Sequence, residues 1–202
     1  MVIDKPAGLP VDTPRRGGDS VAARVNELKQ GFQRPPTLMH RLDQDTSGCL
    51  LLARSPKARS LLQKAFETRQ IEKYYLAVVD GVIDESEGTI DLALGKKSSA
   101  DAGWRMVADR LGEQAITHWR KIAASDGRTL VAFKPVTGRT HQLRVHAREA
   151  FGRGIVGDRV YGVPGGPMLL HASRLVVPRE KKPAIDVSAP LPEYFGEWPD
   201  AA

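Results

Sequence analysis

The sequence contains one cysteine, Cys49, among 202 residues. An intrachain disulfide is therefore excluded, and a reducing cytoplasm fits this usage. Cys49 lies in the apolar run GCLLLA, which predicts a buried small hydrophobe rather than an activated thiol. Long apolar runs are also missing, since none approaches the roughly 18 residues of a membrane-spanning helix. The opening MVIDKPAGLP is not a signal peptide. Phosphate-loop and dinucleotide patterns are absent: GDRVYGVPGG has glycines, but neither G-x-G-x-x-G nor G-x-x-x-x-G-K-[ST]. There is no G-x-S-x-G elbow for a serine nucleophile. Internal repeats, low-complexity tracts and long linkers are missing as well.

What remains is of ordinary globular composition, 41% hydrophobic and 27% charged. The length predicts one compact domain over residues 1–202 with a substantial core. A net charge of +6 and a pI near 9.6 favour a polyanionic partner.

Local patterns predict the elements. VIDKPAGLPV reads as two extended pieces around a Pro-Gly turn. DSVAARVNELKQGF reads as a helix capped by Asp19 or Ser20, with Val21, Val25 and Leu28 at helical spacing and Gly31 as its stop. SPKARSLLQKAFETRQ is a second helix, with Ser55 as N-cap and Pro56 at its first position. RTHQLRVHAREAFG is a third, entered from the VTG turn. GCLLLARS, IEKYYLAVVDG, GTIDLALG, AITHWRKIAAS, RTLVAFKPVTG and MLLHASRLVV have strand character. The charged piece 96–114 is expected to be a hairpin or loop. The proline-rich tail should run extended, with Tyr194, Phe195 and Trp198 as anchors. Strands outnumber helices and often follow one another, so the expected class is α+β, with a mainly antiparallel mixed sheet flanked by helices and loops.

Two stretches hold polar residues that packing alone does not explain. In HRLDQDTSGCLLLARS, His40, Arg41, Asp43, Asp45, Thr46 and Ser47 precede a strand suited to a core. In TGRTHQLRVHAREAFG, Leu143, Ala147 and Ala150 share a helix face, with Arg144 and Arg148 about 100° round from it. A solvated basic face is the bland alternative for those arginines. Metal fails on geometry: on a helix, His141 and His146 point about 140° apart, unlike an i, i+4 zinc pair. His40 and Asp43 lack a completing cysteine or histidine cluster. Tyr74 and Tyr75 face opposite sides of a strand, so at most one can line a given cleft.

HRLDQDTSGCLLLA resembles the signature of the RluA family of RNA pseudouridine synthases. DKPAGLPV, EKYYLAVVDG, VTGRTHQLRVHA, GDRVYG and LLHASRL stand in that family's order over some 170 residues. The leading HRLD separates the chain from the related RsuA group. The resemblance implies the pseudouridine synthase fold and an isomerase that needs no cofactor and no metal. It implies Asp43 as the catalytic carboxylate, Arg144 as its paired cation, Tyr75 stacked on the uracil and Leu170 as an apolar wall. Arg41 would take the vacated position in the RNA or hold the adjacent phosphate, with His40, Arg139 and His141 as further RNA contacts. The partner would be ribosomal or transfer RNA, acted on by a cytoplasmic monomer. Family members usually have more residues before DKPAG, so the N-terminus is expected to be truncated or minimal, with no separate RNA-binding domain.

The reaction breaks the N1–C1′ bond of uridine, turns the base and rejoins it through C5. A carboxylate can attack sugar or base, stabilise charge at C1′, or take a sugar proton. A nucleosidase would use a second acid, and Asp45, the obvious candidate, reads as a structural loop residue. A non-catalytic RNA-binding module would explain the charge, but not an acid set among cations.

Overall fold

The computed structural model describes residues 1–99 and 103–198. The chain divides into two compact units, Met1–Lys73 with His171–Pro190, and Tyr74–Leu170 with the segment from Leu191 onward.

The first unit is built around strand β3 (Ser47–Ala53), buried at all seven positions. β1 (Val2–Lys5) pairs antiparallel with it, from Val2 opposite Leu51 to Lys5 opposite Gly48. The short β2 (Thr37–Leu38) also pairs with β3 antiparallel. β10 (Leu170–Val177) runs parallel to β3, with His171 opposite Ser47 and Ala172 opposite Gly48. β11 (Ile185–Ser188), from the extended tail, adds to β10 antiparallel. Gly48 is required at its position. Its φ is +105°, and a Cβ there would lie 2.3 Å from the Ala172 carbonyl oxygen. Cys49 and Leu51 pack with Ala65, Ile71, Leu175 and Val177, so the lone cysteine is a core hydrophobe as expected.

Helix α2 (Pro56–Glu67) matches the sequence reading. Ser55 Oγ accepts from the Ala58 N–H, and Pro56 takes the first turn, where no donor is needed. The expected helix over 19–31 breaks into α1 (Val21–Arg24), capped by Ser20, and a 3-10 turn at Glu27–Lys29. The periodicity suggested more because Val25 and Leu28 repeat correctly. In the fold both are only half-buried, so no continuous stripe holds a helix this short.

The second unit is an antiparallel sheet of β4 (Glu72–Asp80), β9 (Arg128–Pro135), β8 (Ile116–Ser125) and β5 (Glu87–Asp91). β6 (Leu94–Ser99) and β7 (Gly103–Ala108) form a separate hairpin, the hairpin alternative for the charged piece. Helix α3 (Gln142–Phe151) packs Leu143 and Ala147 into a core with Ala77, Val79, Val131, Phe133 and Ile155. Of the tail anchors, Phe195 is buried and Trp198 packs beside it, while Tyr194 is exposed.

The class is α+β with a mixed, mainly antiparallel sheet, as the sequence predicts. α3 differs in one respect. It starts at Gln142, and His141 sits before it in the left-handed region, φ 53°. Six successive residues from Gln142 to Ala147 are buried, so its first turns are enclosed nearly all round. Arg144 is therefore not on a solvated basic face.

Candidate active site

The first unit carries His40, Arg41 and Asp43 on the loop between β2 and β3. The Thr46 N–H donates to the Asp43 carbonyl at 3.1 Å, closing a tight turn. Asp43 is half-buried between the buried side chains of Leu42 and Thr46. Lys5, fully buried, braces this turn from β1. Its Nζ donates to the carbonyls of Pro6, Leu9 and Gln44 at 2.8, 2.8 and 2.9 Å. The Gly8 N–H donates to the same Gln44 oxygen at 3.0 Å. An ammonium has three donors, and three acceptors meet it here. Burial pushes the Lys5 pKa down to about 8, with the Asp45 and Asp43 carboxylates opposing. The lysine is thus charged at neutral pH, and DKPAGLP is the clamp that holds the residue after Asp43.

His40 is neutral rather than cationic. Its Nε2 accepts from the Leu51 N–H at 2.9 Å, and its ring tilts against Phe66. Burial, helped by the charge of Lys73, pushes its pKa down to about 4. Of the basic pair, Arg41 carries the charge, exposed and 3.1 Å from the Asp12 carboxylate. Below the turn, Ser47 Oγ donates to His171 Nδ1 at 2.9 Å, since His171 Nε2 gives its proton to the Ala189 carbonyl.

The second unit carries Tyr75, Arg139, His141, Arg144 and Leu170. Gln142 locks the entry to α3. Its Oε1 accepts from Thr137 Oγ1 at 2.7 Å and the Arg139 N–H at 2.9 Å. Its Nε2 donates to the Ile116 carbonyl and Thr117 Oγ1. Arg144, one turn in, donates Nε and Nη2 to Asp158 at 2.7 and 2.8 Å. Asp158 also accepts from the Val160 and Tyr161 N–H groups. Burial alone would raise its pKa, but the Arg144 hydrogen bonds and charge, with the two backbone donors, hold it below the usual carboxylate value. The Tyr161 ring lies 5.0 Å from the Arg144 guanidinium. Its hydroxyl accepts from the Met106 N–H and bonds His141 Nδ1 at 2.8 Å. His141 stacks on Trp104, ring centroids 5.3 Å apart. Arg139 is tied to the segment before β8, with Nε to the Gln114 carbonyl and an ion pair to Glu113.

Tyr75 and Leu170 pack against one apolar cluster that also holds Leu143 of α3. Tyr75 is opposite Phe133, while the Tyr74 ring lies under the Lys134 ammonium, so the two tyrosines point to opposite faces. Lys5, Gln142, Asp158 and Tyr161 were missed as individual residues. Each lies inside a motif visible in the sequence, but nothing local tells that a lysine or an aspartate will be buried.

Residues 1–149 match the family of RNA pseudouridylate synthases. A Zymomonas mobilis protein named as an uncharacterised RNA pseudouridine synthase is 51% identical over 199 residues, covering 96% of this chain and 91% of its own. The chain belongs to the RluA family of RNA pseudouridine synthases. Another member, the ribosomal large subunit pseudouridine synthase C of Rickettsia bellii, is 34% identical over 96% of this chain, which spans 66% of that protein. The solved structure of human RNA pseudouridylate synthase domain containing 4 superposes with a TM-score of 0.79 at 27% identity, over 96% of this chain and 86% of that one. Like the family, this pseudouridine synthase is an isomerase acting on RNA.

Proposed function

We propose that the protein converts specific uridines to pseudouridine in structured large-subunit ribosomal RNA, with Asp43 as the catalytic carboxylate. The observation that carries this reading is the half-buried Asp43 on a turn clamped by Lys5 and Gly8. A rigid turn presents a carboxylate in one orientation, as attack on a sugar or base, or removal of a sugar proton, requires. The ribosomal target is supported by the name of the Rickettsia relative; transfer RNA is the second reading. In the reaction the N1–C1′ bond breaks and a C5–C1′ bond forms. The C5 proton is lost and N1 gains one, so nothing external is consumed.

Arg144 serves as the cation of Asp43, held in orientation by Asp158 and Tyr161. Tyr75 stacks on the uracil, and Leu170 walls the same pocket. Extruding the base costs a few kcal/mol, and Arg41 fills the vacated place or holds the neighbouring phosphate. Arg139 and His141 complete the RNA-facing set, while His40 acts through the loop it supports from the Leu51 N–H. A monomer in the cytoplasm suits this substrate.

The test is Asp43→Asn, assayed on total RNA from cells lacking the gene. Mapping by mass spectrometry identifies the uridine that wild type modifies and the variant leaves. The variant should stay folded, keep RNA binding and form no pseudouridine; product at near wild-type rate would overturn the assignment. Tyr75→Ala should abolish turnover, while Tyr74→Ala should retain most of it. Raising salt from about 50 to 200 mM should weaken RNA binding at least tenfold.

A further inference from the structure

We propose that a cavity of about 350 Å³ between β7 and α3 holds one further nucleotide of the substrate RNA, with its phosphate on Arg105 and Arg148. The proposal rests on the reading of the protein as an RNA-modifying enzyme and assigns a second contact outside the set around Asp43.

The cavity opens to solvent, and apolar and cationic side chains line it together. Met106, Val145, Val160 and the Tyr161 ring line it. These give a base the apolar and aromatic surface on which single-stranded RNA stacks without strong sequence preference. Arg105 and Arg148 line the same cavity, and both are exposed. Among the described residues neither forms an ion pair with a carboxylate; Arg148 makes only a 3.4 Å hydrogen bond to the Gly152 carbonyl. One guanidinium comes from a strand and the other from a helix, and each can donate to a phosphate bound at the cavity. Glu149 also lines the cavity and repels an anion, so the two arginines outnumber the one opposing charge there.

Position makes the cavity more than a basic spot. Tyr161 lines it while lying 5.0 Å from the Arg144 guanidinium, and its hydroxyl bonds both β7 and His141. Tyr161 thus borders the cavity and contacts Arg144, so a nucleotide bound here would lie near that arginine without displacing it from Asp158. Among the described residues β7 pairs only with β6, and its Met106 N–H donates to the Tyr161 hydroxyl instead of to a strand.

The test uses the RNA that the wild-type protein modifies, or binds if no product forms. The double variant Arg105→Gln with Arg148→Gln keeps most of both stems and removes both charges. It should raise KM and Kd about tenfold with kcat within about twofold, and lower the salt slope of binding by about 0.7, the value for one single-strand phosphate. Val160→Trp fills the cavity from its exposed rim without changing charge. It should raise KM and Kd similarly and leave the salt slope unchanged. Wild-type affinity in both variants, shown folded by thermal melting, would overturn the cavity assignment. The catalytic reading fails separately: if wild type binds RNA but makes no pseudouridine, the two variants still report on the cavity through Kd and salt slope.

Discussion

The Arg144 guanidinium holds the Asp158 carboxylate through two parallel hydrogen bonds of 2.7 and 2.8 Å, and both side chains are buried. This bidentate pairing fixes the orientation of the guanidinium proposed above as the cation of Asp43. Asp158→Asn keeps the shape and removes the charge, leaving Arg144 buried with one counter-ion fewer. Breaking such a pair costs about 3 kcal/mol. Urea unfolding should show a loss of that size, and kcat should fall at least tenfold under conditions where the variant is folded. A variant with unchanged stability and kcat would show that Asp158 does not position Arg144.

Lys5 offers a second check. Replacing it with methionine keeps the volume but takes the donor from the Pro6, Leu9 and Gln44 carbonyls. Leaving buried acceptors without a donor costs about 1–3 kcal/mol. Lys5→Met should lose about 2 kcal/mol in chemical denaturation, and turnover should drop because the turn after Asp43 loosens. Lys5→Arg should not rescue it, since a planar guanidinium does not match three carbonyls converging on one ammonium.

The close parallel pairing of β3 and β10 makes a steric prediction. Gly48→Ala would place a methyl group against the Ala172 backbone at a φ that L residues avoid. Both effects act at once, so the loss should reach about 3 kcal/mol or more. Thermal melting reads it; a melting temperature within a degree or two of wild type would mean the strands separate freely there.

Stability should fall as pH drops from about 6.5 to about 4. His40 has its pKa pushed down to about 4, and burial also lowers those of His146 and His171. In that window the unfolded chain binds protons that the native state refuses. Each such proton steepens the loss by about 1.4 kcal/mol per pH unit. These histidines contribute fully above pH 6.5, and the contribution of His40 is lost as pH falls towards its native value. Urea midpoints between pH 7 and 4.5 should show this, and His40→Gln should flatten the slope. An equal slope in wild type and variant would show that His40 does not resist protonation.

Sequence by itself determined the elements whose cause is local. β3 reads as a core strand because the apolar run GCLLLA between a polar turn and a helix cap admits little else. α2 reads as a helix because Ser55 and Pro56 start it. The polar turn around Asp43 stands out because that many polar residues next to a core strand bury badly. The β6–β7 hairpin was legible only as one of two alternatives. Tertiary structure decided what depends on distant partners. Lys5 looks like a surface cation until the carbonyls of residues 6, 9 and 44 converge on it. Arg144 looks like part of an exposed basic face until Asp158, fourteen positions on, meets it in the interior. The 19–31 segment carries helical periodicity, yet without a surface to bury its stripe it forms only short turns. Burial is set by the whole chain, and so are the charge states that burial controls.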